Sequence, residues 1–400
     1  MAQGNPQIQT GGLTASNWQP PTRAEAIRGL SATGDELDHL LADARALRDA
    51  GKGRVVTYSP KAFFPVTNLC RDRCAYCTFR RDEDEAGAWT MQPDEIRSWS
   101  ERAQSLGCIE ALMCLGDRPE DNSPRYRSWL KSEGMSSTID YVARACEIAL
   151  EQGLLPHSNP GLMGPEDYAL LKPRNVSLGM MLESLSPKLR QKGEVHYYAP
   201  DKDPEKRLQV LEDAGEARVP FTTGILLGIG ESLEDRVDAL LAITDTHRRH
   251  GHIQEIIVQN FRAKPEIPMA GAAEPDTLDL VRTIAVARLL TGPEMNLQVP
   301  PNLSDASSLP PLLDSGINDL GGISPLTPDY VNPEAPWPHL GALARACAEE
   351  GFELRPRLPI YDEFVNRPGF LDKNLAEPVR LHQRAVAKSG SRNGKEGEAT

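Results

Sequence analysis

Ala62-Phe63-Phe64-Pro65-Val66-Thr67 is a short apolar run that leads without a break into Asn68-Leu69-Cys70-Arg71-Asp72-Arg73-Cys74-Ala75-Tyr76-Cys77-Thr78-Phe79. Aromatic and β-branched residues favour a strand over 62–67, and the polar, cysteine-rich stretch after it reads as a loop at that strand's C-terminal end. The same alternation recurs along the chain. Further strand candidates lie at 110–115, 154–158, 176–182, 219–227, 254–259, 297–300 and 317–321. Stretches with apolar residues on one helical face lie between or after them, at 94–106, 139–151, 203–214, 233–247, 278–290 and 337–350. Such alternation argues for parallel strands joined by crossover helices, and eight repeats predict a (β/α)8 TIM-type barrel. Strands seven and eight have the weakest patterns, so a partial (β/α)6 barrel with a C-terminal extension is the alternative.

Around a barrel spanning 54–370 the chain changes character. Residues 1–22 are polar and rich in Gly, Pro and Gln, which predicts disorder. A helical lead-in is expected over 23–53, where Leu37, Leu40, Leu41, Ala44 and Leu47 recur behind a capping candidate at Asp35, with Gly51 as a stop signal. The tail, 371–400, ends in a low-complexity run from Ser389 and is expected to be mostly disordered.

With 400 residues, 40% hydrophobic and 25% charged, the chain can bury a core without disulfide staples. Seven cysteines is an odd number, three of them sit within eight residues, and no charged apolar leader follows Met1. Reduced thiols and a cytoplasmic location are the expectation. No run reaches the roughly 20 apolar residues of a membrane span. A net charge of −13 argues against a nucleic-acid surface.

The spacing Cys70-x3-Cys74-x2-Cys77 carries the chemistry. Three thiolates on one loop can hold three corners of an iron–sulfur cube, and no fourth cysteine is near in sequence, which leaves one iron for an exogenous ligand. Structural zinc normally takes four closed protein ligands, so a lone triplet suits it poorly. The plain alternative is three cysteines that merely pack. Cys108, Cys114, Cys146 and Cys347 fall on apolar faces and read as small buried hydrophobes.

Cys70, Cys74 and Cys77, with Tyr76 before the third, resemble the signature loop of radical S-adenosylmethionine (SAM) enzymes. The resemblance implies a [4Fe–4S] cluster whose fourth iron takes the amino and carboxylate groups of SAM, and a reaction begun by a 5′-deoxyadenosyl radical. Leu115-Gly116-Asp117-Arg118-Pro119-Glu120 resembles the family's Gly-Gly-Glu motif, with Asp117 where a longer Glu is usual; otherwise it is a surface turn. Glu183, ending strand four, could reach a ribose or ammonium, or bond a neighbouring loop. Arg207 resembles the arginine that pairs with SAM's carboxylate, and otherwise is a solvated helix charge. Gly224-Ile225-Leu226-Leu227-Gly228-Ile229-Gly230-Glu231 is similar to the adenine-binding stretch, with Gly228 the candidate contact; a dinucleotide fingerprint fails because Leu233 stands at its third glycine. His247-Arg248-Arg249-His250-Gly251-His252 reads as a cationic helix end rather than a metal cluster.

A longer match, 64–81 with 116–120 and 260–265, resembles the CofG component of 7,8-didemethyl-8-hydroxy-5-deazariboflavin (FO) synthase, on the route to coenzyme F420. It runs from about Arg54 to Arg367, and the single cysteine loop implies the unfused form of that component. The implied partners are a small-molecule substrate made by a sister radical SAM component (CofH) and an electron donor such as ferredoxin or flavodoxin. The implied reaction closes the deazaflavin ring and releases ammonia. His157, Asn159, Gln259, Asn260 and Arg262 are substrate candidates by position, and each could equally stabilise a loop. The sister component, a biotin-synthase-like sulfur inserter and a metal-stabilised binding module without turnover are the competing readings.

Overall fold

A computed structural model describes residues 16–304 and 306–396. Eight parallel strands close into a barrel: β1 (Val55–Thr67), β2 (Glu110–Leu115), β3 (Leu155–Asn159), β4 (Ser177–Gly179), β5 (Phe221–Leu227), β6 (Ile253–Asn260), β7 (Leu297–Gln298) and β8 (Asp319–Ile323). They run in chain order, β1 pairs with both β8 and β2, and the ring is complete. The partial-barrel alternative is thereby set aside. A ninth strand, β9 (Glu353–Pro356), pairs in parallel with the first residues of β1, Val55↔Glu353 through Tyr58↔Pro356, outside the closed ring.

The chain pattern accounts for most elements and their bounds. Strand β2 and its crossover helices Pro93–Ser105 and Thr138–Glu151 fall where alternation and 3.6-residue periodicity put them. β1 begins at Val55, seven residues before the apolar run, because its first half is flanked by β8 and β9 rather than by a hydrophobic face. The helix expected at 337–350 spans Leu340–Glu349, after Pro338.

Two lead-in signals act differently from expectation. The helix Asp35–Lys52 is preceded by Gly34 as its N-cap, so Asp35 is the first helical residue, where its charge suits the dipole. Gly51 does not stop this helix, which ends at Gly53; instead a side chain at Gly51 would run into the Pro293 backbone, with the carbonyl carbon 2.5 Å from an added Cβ. The expected disorder over 1–22 falls partly on residues 1–15, outside the described residues; Arg23–Gly29 is a helix capped by Thr22. The tail carries a helix over Ala376–Glu396 where composition predicted mostly disorder, and Leu375 and Val379 bury beside Phe364 and Phe370, which gives its start an apolar anchor. His247–His250 forms the last turn of the helix Leu233–His250, closed by Gly251 at φ 65°, as a cationic helix end should be. Among the described residues, no helix is long and apolar enough to cross a membrane.

Candidate active site

The C-terminal ends of the strands surround a cavity of about 400 Å³, the end at which barrels of this class carry their chemistry. Cys70, Cys74 and Cys77 line it, on the loop that leaves β1. That loop is held at several backbone points. Arg71 N–H donates to the Asp117 carbonyl (3.0 Å), Arg73 N–H to Tyr198 O (2.9 Å) and Ala75 N–H to Val195 O (3.0 Å). Gly116 lies against the first cysteine: an added Cβ would overlap Leu69 O and sit 2.6 Å from Cys70 Cβ. Absence of that side chain lets the Asp117 N–H reach Cys70 Sγ at 3.1 Å.

The donor set fits a cube better than a single ion. Among the described residues, the ligand atoms that come mutually within 4.8 Å belong to Asp72, Asp117 and Asp201, and the three thiols do not form such a set. A mononuclear zinc would draw its sulfurs closer, at Zn–S distances of about 2.3 Å. Burial raises the Cys70 thiol and pushes Cys74 up to about 12, so coordination to metal is what would hold them as thiolates. The cysteines, the Gly116 backbone and an open cavity beside them are what a three-cornered cluster with a bound small molecule requires.

Polar groups surround the thiols on one side. Asp117 is 8% exposed; one carboxylate oxygen accepts from Leu162 N–H (3.2 Å) and the other has no partner. Burial, then Asp201 and Asp72, push its carboxyl up to about 7. Arg207 is buried and donates to Met181 O (3.0 Å) and Asp201 O (3.1 Å), which makes it a cavity-wall group and not a solvated helix charge. Glu183 sits at φ 66°, an uncommon conformation for a side-chain-bearing residue, and pairs with Lys202 Nζ at 2.7 Å. Tyr76 OH meets His196 Nε2 at 2.9 Å.

Deeper in the lumen His157 donates from Nδ1 to Ser177 Oγ (2.6 Å), whose own hydroxyl is committed to Pro359 O (2.6 Å). Nε2 is then the acceptor, and the Asn159 amide nitrogen turned toward it donates at 3.0 Å and also reaches Gly179 O at 3.2 Å. Burial drops the His157 pKa to about 4, so the ring is neutral. Gln259, Asn260 and Arg262 also line the cavity; Asn260 donates to Leu303 O (3.0 Å) and its side-chain oxygen is buried without a partner. Arg262 is tied at the rim to Glu274 (3.3 Å).

Gly228 is the exception among the sequence candidates. At φ 88° it packs on Pro275, its N–H is taken by Glu231 (2.9 Å), and it does not line the cavity. Cys114 also departs from expectation: it is half-buried and lines the cavity, whereas Cys108, Cys146 and Cys347 are buried. Lys61, Glu110, Lys202, Glu255 and Arg357 are cavity residues that sequence reading missed. For Lys61, Glu110 and Glu255 a signal existed, a charged residue at a lumen-facing position of an otherwise apolar strand. For Lys202 and Arg357, on connecting segments, there was none.

Comparison with known proteins agrees with this geometry. The profile of the Radical SAM superfamily matches residues 64–243. The chain is 48% identical over 326 residues to the 7,8-didemethyl-8-hydroxy-5-deazariboflavin synthase of Methanopyrus kandleri, covering 81% of this chain and 97% of that protein. It is 48% identical over 368 residues to the FO synthase of Streptomyces avermitilis, covering 89% of this chain but 43% of that longer protein. Among solved structures, methylornithine synthase superposes with a TM-score of 0.67 at 18% identity, over 85% of this chain and 95% of that one, a likeness of fold. The chain belongs to the radical SAM superfamily and, within it, to the FO synthases, a family whose cofactors are a [4Fe–4S] cluster and SAM.

Proposed function

We propose that this chain is the ring-closing radical SAM component of FO synthesis, with residues 54–370 as its catalytic barrel, acting in the cytoplasm. Its substrate is the adduct of a tyrosine-derived hydroxybenzyl group and a ribityl-bearing pyrimidine, supplied by the sister component. The observation that carries the reading is one cavity with three thiols at its mouth and neutral hydrogen-bonding groups, His157, Asn159, Gln259 and Asn260, below them. The Methanopyrus relative, matched over nearly its whole length, supports it by its name.

Cys70, Cys74 and Cys77 would hold the cluster, with Gly116, Asp117, Glu183 and Arg207 around SAM. The cofactors, when bound, supply a 5′-deoxyadenosyl radical that removes a hydrogen atom from the substrate. Around that event the chain positions and shields. The free oxygen of Asp117 can accept from an ammonium. Tyr76, held by His196, lines the cavity, and neutral His157 accepts from the Asn159 amide, which fixes that side chain at the cavity wall. The adduct would lose ammonia as its ribityl-bearing nitrogen joins the phenol ring, and a ferredoxin or flavodoxin would supply the electron.

Anaerobic reconstitution followed by incubation with reductant, SAM and the adduct tests the whole reading. Four irons per chain, 5′-deoxyadenosine and deazaflavin fluorescence are expected, and Cys70→Ala, Cys74→Ala or Cys77→Ala should abolish all three. Stoichiometric zinc without SAM cleavage would refute it. Formation of the adduct from tyrosine and the ribityl pyrimidine would move the chain to the sister role.

A further inference from the structure

Lumen-facing residues alternate along the strands: Lys61 and Phe63 on β1, Glu110, Leu112 and Cys114 on β2, His157 and Asn159 on β3, Glu255, Ile257 and Gln259 on β6. Barrel interiors are normally layered with Val, Ile and Leu. Here the layer farthest from the thiols is charged. Lys61 and Glu110 are Cα partners across β1 and β2, with Nζ 3.1 Å from Oε1 and the carboxylate side chain 2% exposed. Glu255 is the partner of Thr222, which donates to it at 3.3 Å, and takes Arg357 (2.7 Å) and Tyr361 OH (3.0 Å). Buried ion pairs add little stability over well-packed apolar residues, so stability alone does not account for this floor.

Glycines make room for it. A Cβ at Gly322 would overlap Lys61 Cε and Cδ, one at Gly321 would overlap the Gln298 amide, and one at Gly179 would overlap the Asn159 side-chain amide. Three strand positions thus carry no side chain where polar side chains project into the cavity. Resting on the function proposed above for the identity of the substrate, we infer that this floor is a subsite for a neutral sugar-alcohol chain, read by Lys61, Glu110, Glu255 and Gln298. Each hydroxyl of a polyol offers one donor and two acceptor sites, which an alternation of ammonium, carboxylate and amide satisfies. A phosphorylated chain does not fit: Glu110, Glu255 and Asp319 outnumber Lys61 and Arg357. Above the floor, Phe63 stacks on Trp337 (centroids 5.2 Å apart, 19° between planes) beside Leu112 and Ile257, which suits an aromatic ring. The polyol therefore points to the bottom of the barrel and the rings toward the thiols.

Binding of FO itself, followed by its fluorescence, tests this without turnover when set against its 10-methyl analogue, which lacks the ribityl chain. The wild-type protein should prefer FO at least 10-fold. Lys61→Met should remove most of that preference, and so should the double variant Lys61→Met/Glu110→Gln, which leaves no unpaired buried charge and guards against a folding defect. Affinity for the 10-methyl analogue should stay within about 2-fold in both. Equal binding of the two ligands by the wild type, or a preference that survives both variants, overturns the inference. If the preference behaves as expected but the adduct is not turned over, the subsite stands and the ring-closing assignment falls.

Discussion

Gly116 shows how one atom decides the site. Its missing Cβ lets β2 approach the cysteine loop closely enough for the Asp117 N–H to reach Cys70 Sγ at 3.1 Å. In Gly116→Ala the new methyl meets backbone oxygen rather than a flexible side-chain tip, so the loop must move. We expect reconstituted iron content or SAM cleavage to fall at least 10-fold while the circular dichroism of the barrel is kept; full activity would show that the loop tolerates the shift. His252 makes a second prediction at this scale. It is fully buried, and burial, reinforced by His247 and His250, drops its pKa to about 3. Its folded pKa lies below the unfolded value of about 6.5, so the unfolded chain binds more protons. The contribution is intact above about pH 6.5 and is lost as pH falls toward 3. Between pH 7.5 and pH 5 this group should cost about 2 kcal/mol of stability. Urea titrations of the wild type and His252→Leu at those two pH values should differ by that amount in their pH dependence, and identical slopes would remove His252 from the account.

At the scale of elements, the lead-in helix Asp35–Lys52 is the informative case. Ordinarily Ala in place of Gly inside a helix gains about 1 kcal/mol. At Gly51 the helix leans on Pro293, whose backbone would collide with any side chain. Gly51→Ala should therefore destabilise by about 1–3 kcal/mol, the usual cost of overpacking, as read from the urea midpoint. A stabilised variant would mean that the helix end frays from Pro293 without loss. The strands follow the same logic of neighbours. β7 contributes only Leu297 and Gln298 to the ladder, and Glu353–Pro356 pairs although its alternating charges do not look like a strand. Both are strands because adjacent strands offer them hydrogen-bonding edges.

For the whole molecule, closure at the bottom of the barrel is the controlling feature. The segment after β9 folds back across the strand N-termini, where Leu358, Ile360, Tyr361, Phe364 and Phe370 form an apolar cluster with Ile109, Leu155 and Val176. From the same segment Arg357 enters the lumen and joins Glu255 and Asp319. The cavity floor and the protein's stability thus depend on one piece of chain. Phe364→Ala should lower stability by about 3–5 kcal/mol, the range for a large buried ring, as measured by urea unfolding. A loss below about 1 kcal/mol would mean that this plug is loosely held.

Much of this was legible in the sequence because it is local. Period-two and period-3.6 patterns mark strands and helices, and the cysteine loop carries three ligands within one stretch of chain, so the barrel and Cys70, Cys74 and Cys77 could be read directly. Gly116, Asp117, Glu183 and Arg207 were legible through a resemblance of short motifs, and all four line the cavity. Gly228 does not, because its turn is occupied by Pro275 and Glu231. Only the tertiary structure joined Lys61 to Glu110, Glu255 to Arg357 and Glu183 to Lys202. A charge in a strand signals burial or exposure only when the opposing residue is known, and barrel closure, which brings residues as far apart as Thr57 and Asp319 into one ladder, supplies that residue.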